Sequence, residues 1–103
     1  MYIDLGAEPL IAAEKDDQKI AVEVKSFLQP STISEFHTAV GQFLNYRRAL
    51  RATEPDRRLY LAVPLETYKG FFALPFIREG VEEYQLLLLV YDAEEKVVSL
   101  WQK

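Results

Sequence analysis

Residues 2–7 and 10–15 are short apolar stretches, and the polar cluster Asp16, Asp17, Gln18 separates them from a further run over 19–27. That order predicts strand, strand, tight turn, strand. Side chains alternate across a strand, so Ile20, Val22, Val24 and Ser26 share one face of the third run, and Ala21, Glu23, Lys25 and Phe27 share the other. Pro30 breaks this run, and Thr32-Ile33-Ser34-Glu35 then matches a capping box, which predicts a helix start. Ile33, Phe36, Val40, Phe43, Leu44 and Leu50 recur at helical spacing as one apolar stripe through about residue 52. Thr53-Glu54-Pro55-Asp56 ends the stripe with turn chemistry.

Residues 59–63 read as a compact buried strand, and Pro64 suits the first turn of a helix over 65–72. A second helical piece is predicted over 75–83, with Gly80 working against it. Residues 86–91, 92–95 and 96–101 predict a hairpin with Val97, Ser99 and Trp101 on one face. The order β-β-β-α-β-α-β-β belongs to the α/β (α+β) class, a mixed sheet with helices laid on it, over a single domain, residues 1–103.

The chain has no cysteine and one histidine, which excludes disulfides, thiolate nucleophiles and multi-histidine metal cages. No apolar run approaches the length of a membrane span, and the N-terminus has no basic segment ahead of an apolar core, so the expectation is a cytoplasmic protein with no membrane partner. Twelve basic against sixteen acidic side chains, net −4, repel nucleic acid unless the cations cluster. They do cluster: Arg47, Arg48, Arg51, Arg57 and Arg58 fall within twelve residues and could grip phosphates, although cations also favour helix C-termini and arginine stems cover apolar surface.

Three ionisable positions stand out: Asp4 on the first strand, and Glu23 and Lys25 on the third. Two carboxylates on neighbouring strands can hold a hard cation such as Mg²⁺ (or Mn²⁺), and an ammonium on the same face can orient or activate its bound water. Glu-x-Lys is also what a solvent-facing strand shows, but here apolar residues occupy both faces of the strand, so the two charges interrupt a buried run. On the helix, Gln42 and Tyr46 are four apart, off the centre of the stripe, where an amide and a phenol could support the carboxylates or simply lie at the surface. Glu14 is expected to be solvated, His37 to sit at the stripe's margin, and Tyr84, Tyr91 and Trp101 to be core. No phosphate-cradling glycine loop and no Ser-His-Asp set points to a small-molecule enzyme.

Asp4, Glu23-Val24-Lys25 and Gln42-x-x-x-Tyr46, on strand, strand and following helix, resemble the PD-(D/E)XK nuclease superfamily in its branches with a Q-x-x-x-Y motif. The segments Tyr2-Ile3-Asp4-Leu5-Gly6-Ala7-Glu8, Ala12-Ala13-Glu14-Lys15, Lys19 to Phe27, Gly41-Gln42 and Thr53-Glu54-Pro55-Asp56-Arg57 resemble the cyanobacterial XisH family, the fdxN-element excision controlling factors. The resemblance implies a restriction-endonuclease-like fold, a mixed central sheet flanked by helices. It assigns Asp4 and Glu23 as catalytic metal carboxylates for Mg²⁺, Lys25 beside the attacking water, and Gln42 and Tyr46 as supporting groups. It further implies action on DNA in site-specific excision, alongside an XisI-like partner and a recombinase; the candidate DNA contacts, Arg47, Arg48 and Arg51, come from the arginine cluster and not from the resemblance. The family pattern also carries a helix and a strand ahead of the segment that begins here at Tyr2, so an N-terminally shortened chain, an uncovered sheet edge and homo-oligomer formation are expected. The alternative expectation is a non-catalytic accessory protein that binds such a partner.

Overall fold

The computed structural model describes residues 2–4, 9–28, 30–95 and 97–101, and for 2–4, 9, 15, 97 and 99–101 the backbone alone. Its strands are β1 (Tyr2–Asp4), β2 (Pro9–Lys15), β3 (Gln18–Val24), β4 (Arg58–Pro64), β5 (Leu88–Asp92) and β6 (Val97–Trp101). They form one sheet in chain order, parallel at β3–β4 and β4–β5 and antiparallel elsewhere. Helix α1 (Thr32–Thr53) joins β3 to β4, while α2 (Leu65–Lys69), a 3₁₀ turn (Phe71–Ala73) and α3 (Pro75–Glu83) join β4 to β5. The predicted class stands, and the order differs from β-β-β-α-β-α-β-β only in that two helices and a 3₁₀ turn, not one helix, join β4 to β5.

Local chemistry explains the turns. Asp16 and Asp17 adopt φ of 50° and 66°, the left-handed pair that a two-residue hairpin requires and that aspartate tolerates. In the β5–β6 hairpin the Asp92 carboxylate accepts the amides of Glu94 and Glu95 at 3.0 and 3.1 Å, so the side chain shapes its own turn. Three boundaries differ from expectation. The cap of α1 is Ser31, whose hydroxyl accepts the Ser34 amide at 3.2 Å, because a serine one residue ahead of Thr32 offers the same chemistry. With Ser31 as the cap, the capping-box position falls on Ser34, and the Glu35 carboxylate accepts the Phe27 amide. The helix expected over 65–72 stops at Lys69, where Gly70 intervenes, and continues as the 3₁₀ turn. Pro75 opens α3, and Gly80 is accommodated within it.

All three helices pack on one face of the sheet. There Ala21, Leu59, Leu61, Val63, Leu88 and Val90 meet Phe36, Ala39, Phe43, Tyr46 and Leu50 of α1, together with Phe72 and Ile77. The buried positions of α1 are spaced three and four apart, and they differ from the expected stripe. Ile33 is exposed, and Val40 and Leu44 flank the contact, whereas Ala39 and Tyr46 lie at its centre. The apolar pattern names a broad face, and the small side chain of Ala39 lets α1 approach the sheet closely. Ile20, Val22, Tyr60, Ala62 and Leu89 form a second cluster on the opposite face.

Candidate functional site

Strand β3 supplies Glu23 and leads directly to Lys25. The parallel register sets Glu23 beside Leu61, and alternation puts it with Ala21 on the helix-facing side, where it is 2% exposed. Among the described residues it is the buried charged side chain. The Lys25 amide donates to the Ala62 carbonyl at 3.0 Å, which carries the pairing one residue past β3. Its side chain is half-buried and lines a concave pocket of about 500 Å³ with Pro30, Ser31, Ser34, Glu35 and Thr38. Val24, between the two, is 49% exposed on the other face.

The first turns of α1 are locked against this point. Phe27 takes a left-handed φ of 57°, and its amide donates to Glu35 Oε2 at 2.8 Å. Phe27 then packs edge-on against Phe72, with ring centroids 5.5 Å apart. The sharp bend after Lys25 is thereby held by a charge-assisted hydrogen bond on one side and aromatic packing on the other. Ser31 and Thr38 were not singled out in the sequence, and Ser34 and Glu35 entered only through the capping box, yet the spacing of the four at three, four and seven marks one polar helical face.

The remaining candidates divide. Asp4 ends β1 opposite Pro9, and Ile11, two residues on, is opposite Val22; the backbone of Asp4 therefore lies at the end of the sheet that carries Glu23, with β2 between. The Asp4 side chain lies outside the described residues. Gln42 and Tyr46 follow Thr38 by one and two turns of α1. Gln42 Oε1 is buried and has no hydrogen-bond partner among the described residues. Tyr46 is 6% exposed and belongs to the main core, not to a flank of the stripe as the sequence suggested. A buried carboxylate and a buried amide oxygen are hard donors of the kind Mg²⁺ accepts. Among the described residues no three acidic or histidine side chains converge on a metal position.

The arginines lie at the other end of α1. Arg47 sits over the Phe43 ring at 5.5 Å and donates to the carbonyls of Tyr84 and Gln85 at 2.9 and 3.2 Å, joining α1 to the end of α3. Arg57 donates to the carbonyls of Ile20 and Ala13 at 2.8 and 3.2 Å and pairs with Glu54 at 3.1 Å. Arg48 and Arg51 are exposed. Glu14 is exposed as expected, and His37 is at the surface. Tyr84 is 39% exposed, which corrects its expected place in the core: it caps α3 beyond the packed face. The side chain of Trp101 lies outside the described residues. Among the described residues no helix is long and apolar enough to cross a membrane.

The crystal structure of an XisH family protein from Nostoc punctiforme PCC 73102 superposes with a TM-score of 0.89 at 56% identity, over 100% of this chain and 83% of that one. That of a fdxN element excision controlling factor protein from Anabaena variabilis gives 0.89 at 59% identity, over 100% of this chain and 82% of that one. No curated protein matches the chain. The family profile described as XisH protein matches residues 1–99, and with two solved relatives above half identity along the whole length, the chain belongs to the XisH family.

Proposed function

We propose that this chain acts on DNA in the excision of a genomic element, with Asp4, Glu23 and Lys25 forming a site for metal-assisted phosphodiester hydrolysis. The observation that carries this reading is Glu23, a carboxylate 2% exposed on a strand, followed two residues later by a lysine that opens on a hydroxyl-lined pocket. Burying an acid is costly, and such costs concentrate at functional sites. In this reading Asp4 and Glu23 would hold Mg²⁺ or Mn²⁺, which when bound would supply Lewis-acid activation of water, and Lys25 would orient the attacking water. Gln42 and Tyr46 support the carboxylates from α1, and Ser31, Ser34 and Thr38 offer hydroxyls to phosphate oxygens. The resemblance to PD-(D/E)XK nucleases supports the chemistry, and the excision-control name of the Anabaena variabilis relative supports the setting. An XisI-like protein and a recombinase belong to the same setting. The test is Mg²⁺-dependent cleavage of branched, nicked and linear DNA. EDTA should abolish it, and Lys25→Ala should lower it by roughly 100-fold or more; undiminished cleavage by Lys25→Ala sinks the assignment.

A second reading, a non-catalytic accessory factor, is favoured by Leu28, Leu74 and Phe76, which are 85%, 51% and 72% exposed. In that case capture of a protein partner survives replacement of both Glu23 and Lys25 by alanine and is lost with Phe76→Glu. Loss of capture in the alanine pair, or its persistence in Phe76→Glu, tells against this reading.

A further inference from the structure

The last turns of α1 and the start of β4 enclose a concave pocket of about 480 Å³ whose wall carries Arg47, Arg51, Arg57 and Arg58 over an apolar floor that includes Phe43 and Leu59. Among the described residues no carboxylate lines it, the nearest compensation being the Glu54 carboxylate that pairs with Arg57 at 3.1 Å, in a chain with sixteen acidic side chains and net charge −4. Two of the guanidinium groups are anchored by protein carbonyls: Arg47 by Tyr84 and Gln85, Arg57 by Ala13 and Ile20. The side chains of Arg51 and Arg58 have neither a hydrogen bond nor an ion pair among the described residues. The partial negative charge at the end of α1 accounts for one cation in the last turn, but it does not account for Arg57 and Arg58, which lie beyond the helix. Glu54 offsets the charge of Arg57, and gathering the other three guanidinium groups on one wall is unfavourable until an anion enters between them.

We infer that this pocket is a phosphate-binding site, in which Arg51 and Arg58 grip the phosphate of a nucleic-acid strand or a nucleotide while Arg47 and Arg57 hold the wall. Planar guanidinium forks match phosphate oxygens in pairs, and apolar floor lowers the local dielectric and strengthens the contact. The site is separate from the pocket of Lys25. Thr38 and Arg51 are thirteen residues apart along α1, about 20 Å of helix. The pocket borders Gln85 and Leu87 at the entrance to β5, whereas the Lys25 pocket borders the bend after β3. One phosphate cannot occupy both, and binding here does not depend on hydrolysis at Glu23 and Lys25.

The test is fluorescence anisotropy of a labelled 20-base-pair duplex in EDTA, so that cleavage plays no part, with ATP titrated separately by calorimetry. The Arg51→Gln/Arg58→Gln double variant should bind roughly tenfold or more weakly, with the salt dependence of duplex binding reduced by about two charges. The matched control, Lys69→Gln/Arg78→Gln, removes the same charge outside the pocket and should stay within about twofold of wild type. A duplex that binds while ATP does not identifies a strand phosphate as the ligand; ATP binding alone identifies a free nucleotide, and the double variant must lose whichever is bound. Failure of the wild type to bind either ligand, binding by Arg51→Gln/Arg58→Gln equal to wild type, or an equal loss in the control overturns the inference. Cleavage by wild type with unaltered binding in the double variant would leave the hydrolase reading standing and remove this site alone.

Discussion

The carboxylate of Glu35 accepts the backbone amide of Phe27 at 2.8 Å, bridging eight residues between the segment that follows β3 and the first turn of α1. This bond fixes the left-handed bend that aims Lys25 at the helix, so it lies between local structure and site geometry. Glu35→Ala leaves a part-buried amide unsatisfied and should cost about 1–3 kcal/mol, read as a lower urea midpoint. Glu35→Gln keeps an acceptor and should recover more than half of that loss. Equal stability of both variants and wild type would remove the bond from any role in positioning Lys25.

Arg57 is a stabilising clamp as well as part of a basic wall. Its guanidinium joins the Ile20 carbonyl on β3, the Ala13 carbonyl on β2 and the Glu54 carboxylate at the end of α1. Arg57→Ala strands two sheet carbonyls and should lower stability by about 2–4 kcal/mol. Arg57→Lys should recover little, since an ammonium cannot reproduce the planar fork. Thermal melts of the two variants beside Arg58→Ala, which has no such partners, check the assignment; a similar small loss in all three would refute it.

Tyr46 tests where the core of α1 runs. It is buried in the same cluster as Phe43 and Leu50. Tyr46→Ala should cost about 3–5 kcal/mol through lost burial and the cavity left behind, whereas Ile33→Ala, at an exposed position, should cost under about 1 kcal/mol. The reverse order would restore the stripe that periodicity alone suggested.

The strands, the hairpin turns and the length of α1 were legible because each depends on local chemistry: alternation, paired aspartates at a turn, an apolar repeat. Glu23 was legible as a charge in an apolar strand. Tyr46 was misplaced because its hydroxyl counts as polar in a pattern, while burial depends on which helical arc meets the sheet. The cap shifted by one because Ser31 and Thr32 compete on equal chemistry. The Lys25 pocket was out of reach, since it exists only once Glu35 pulls α1 against the bend. The division of the arginines into clamps and free cations depends likewise on which backbone carbonyls the fold leaves within range.

Glu23 gives the sharpest separation of function from stability. Its neighbours on the helix-facing side, Ala21 and Leu61, are apolar, and an acid kept there for folding alone would be replaceable only at a loss. If the carboxylate is retained for chemistry, Glu23→Leu removes a desolvation cost without opening a large cavity. The variant should then stay within about 2 kcal/mol of wild type. The same variant should lose Mg²⁺-dependent cleavage entirely, and Mg²⁺ should no longer raise its melting temperature if it does so for wild type. Calorimetry with and without Mg²⁺ reads both effects in one experiment. A Glu23→Leu chain destabilised by more than about 2 kcal/mol, with an unchanged response to Mg²⁺, would make Glu23 a structural residue and leave the metal without its carboxylate.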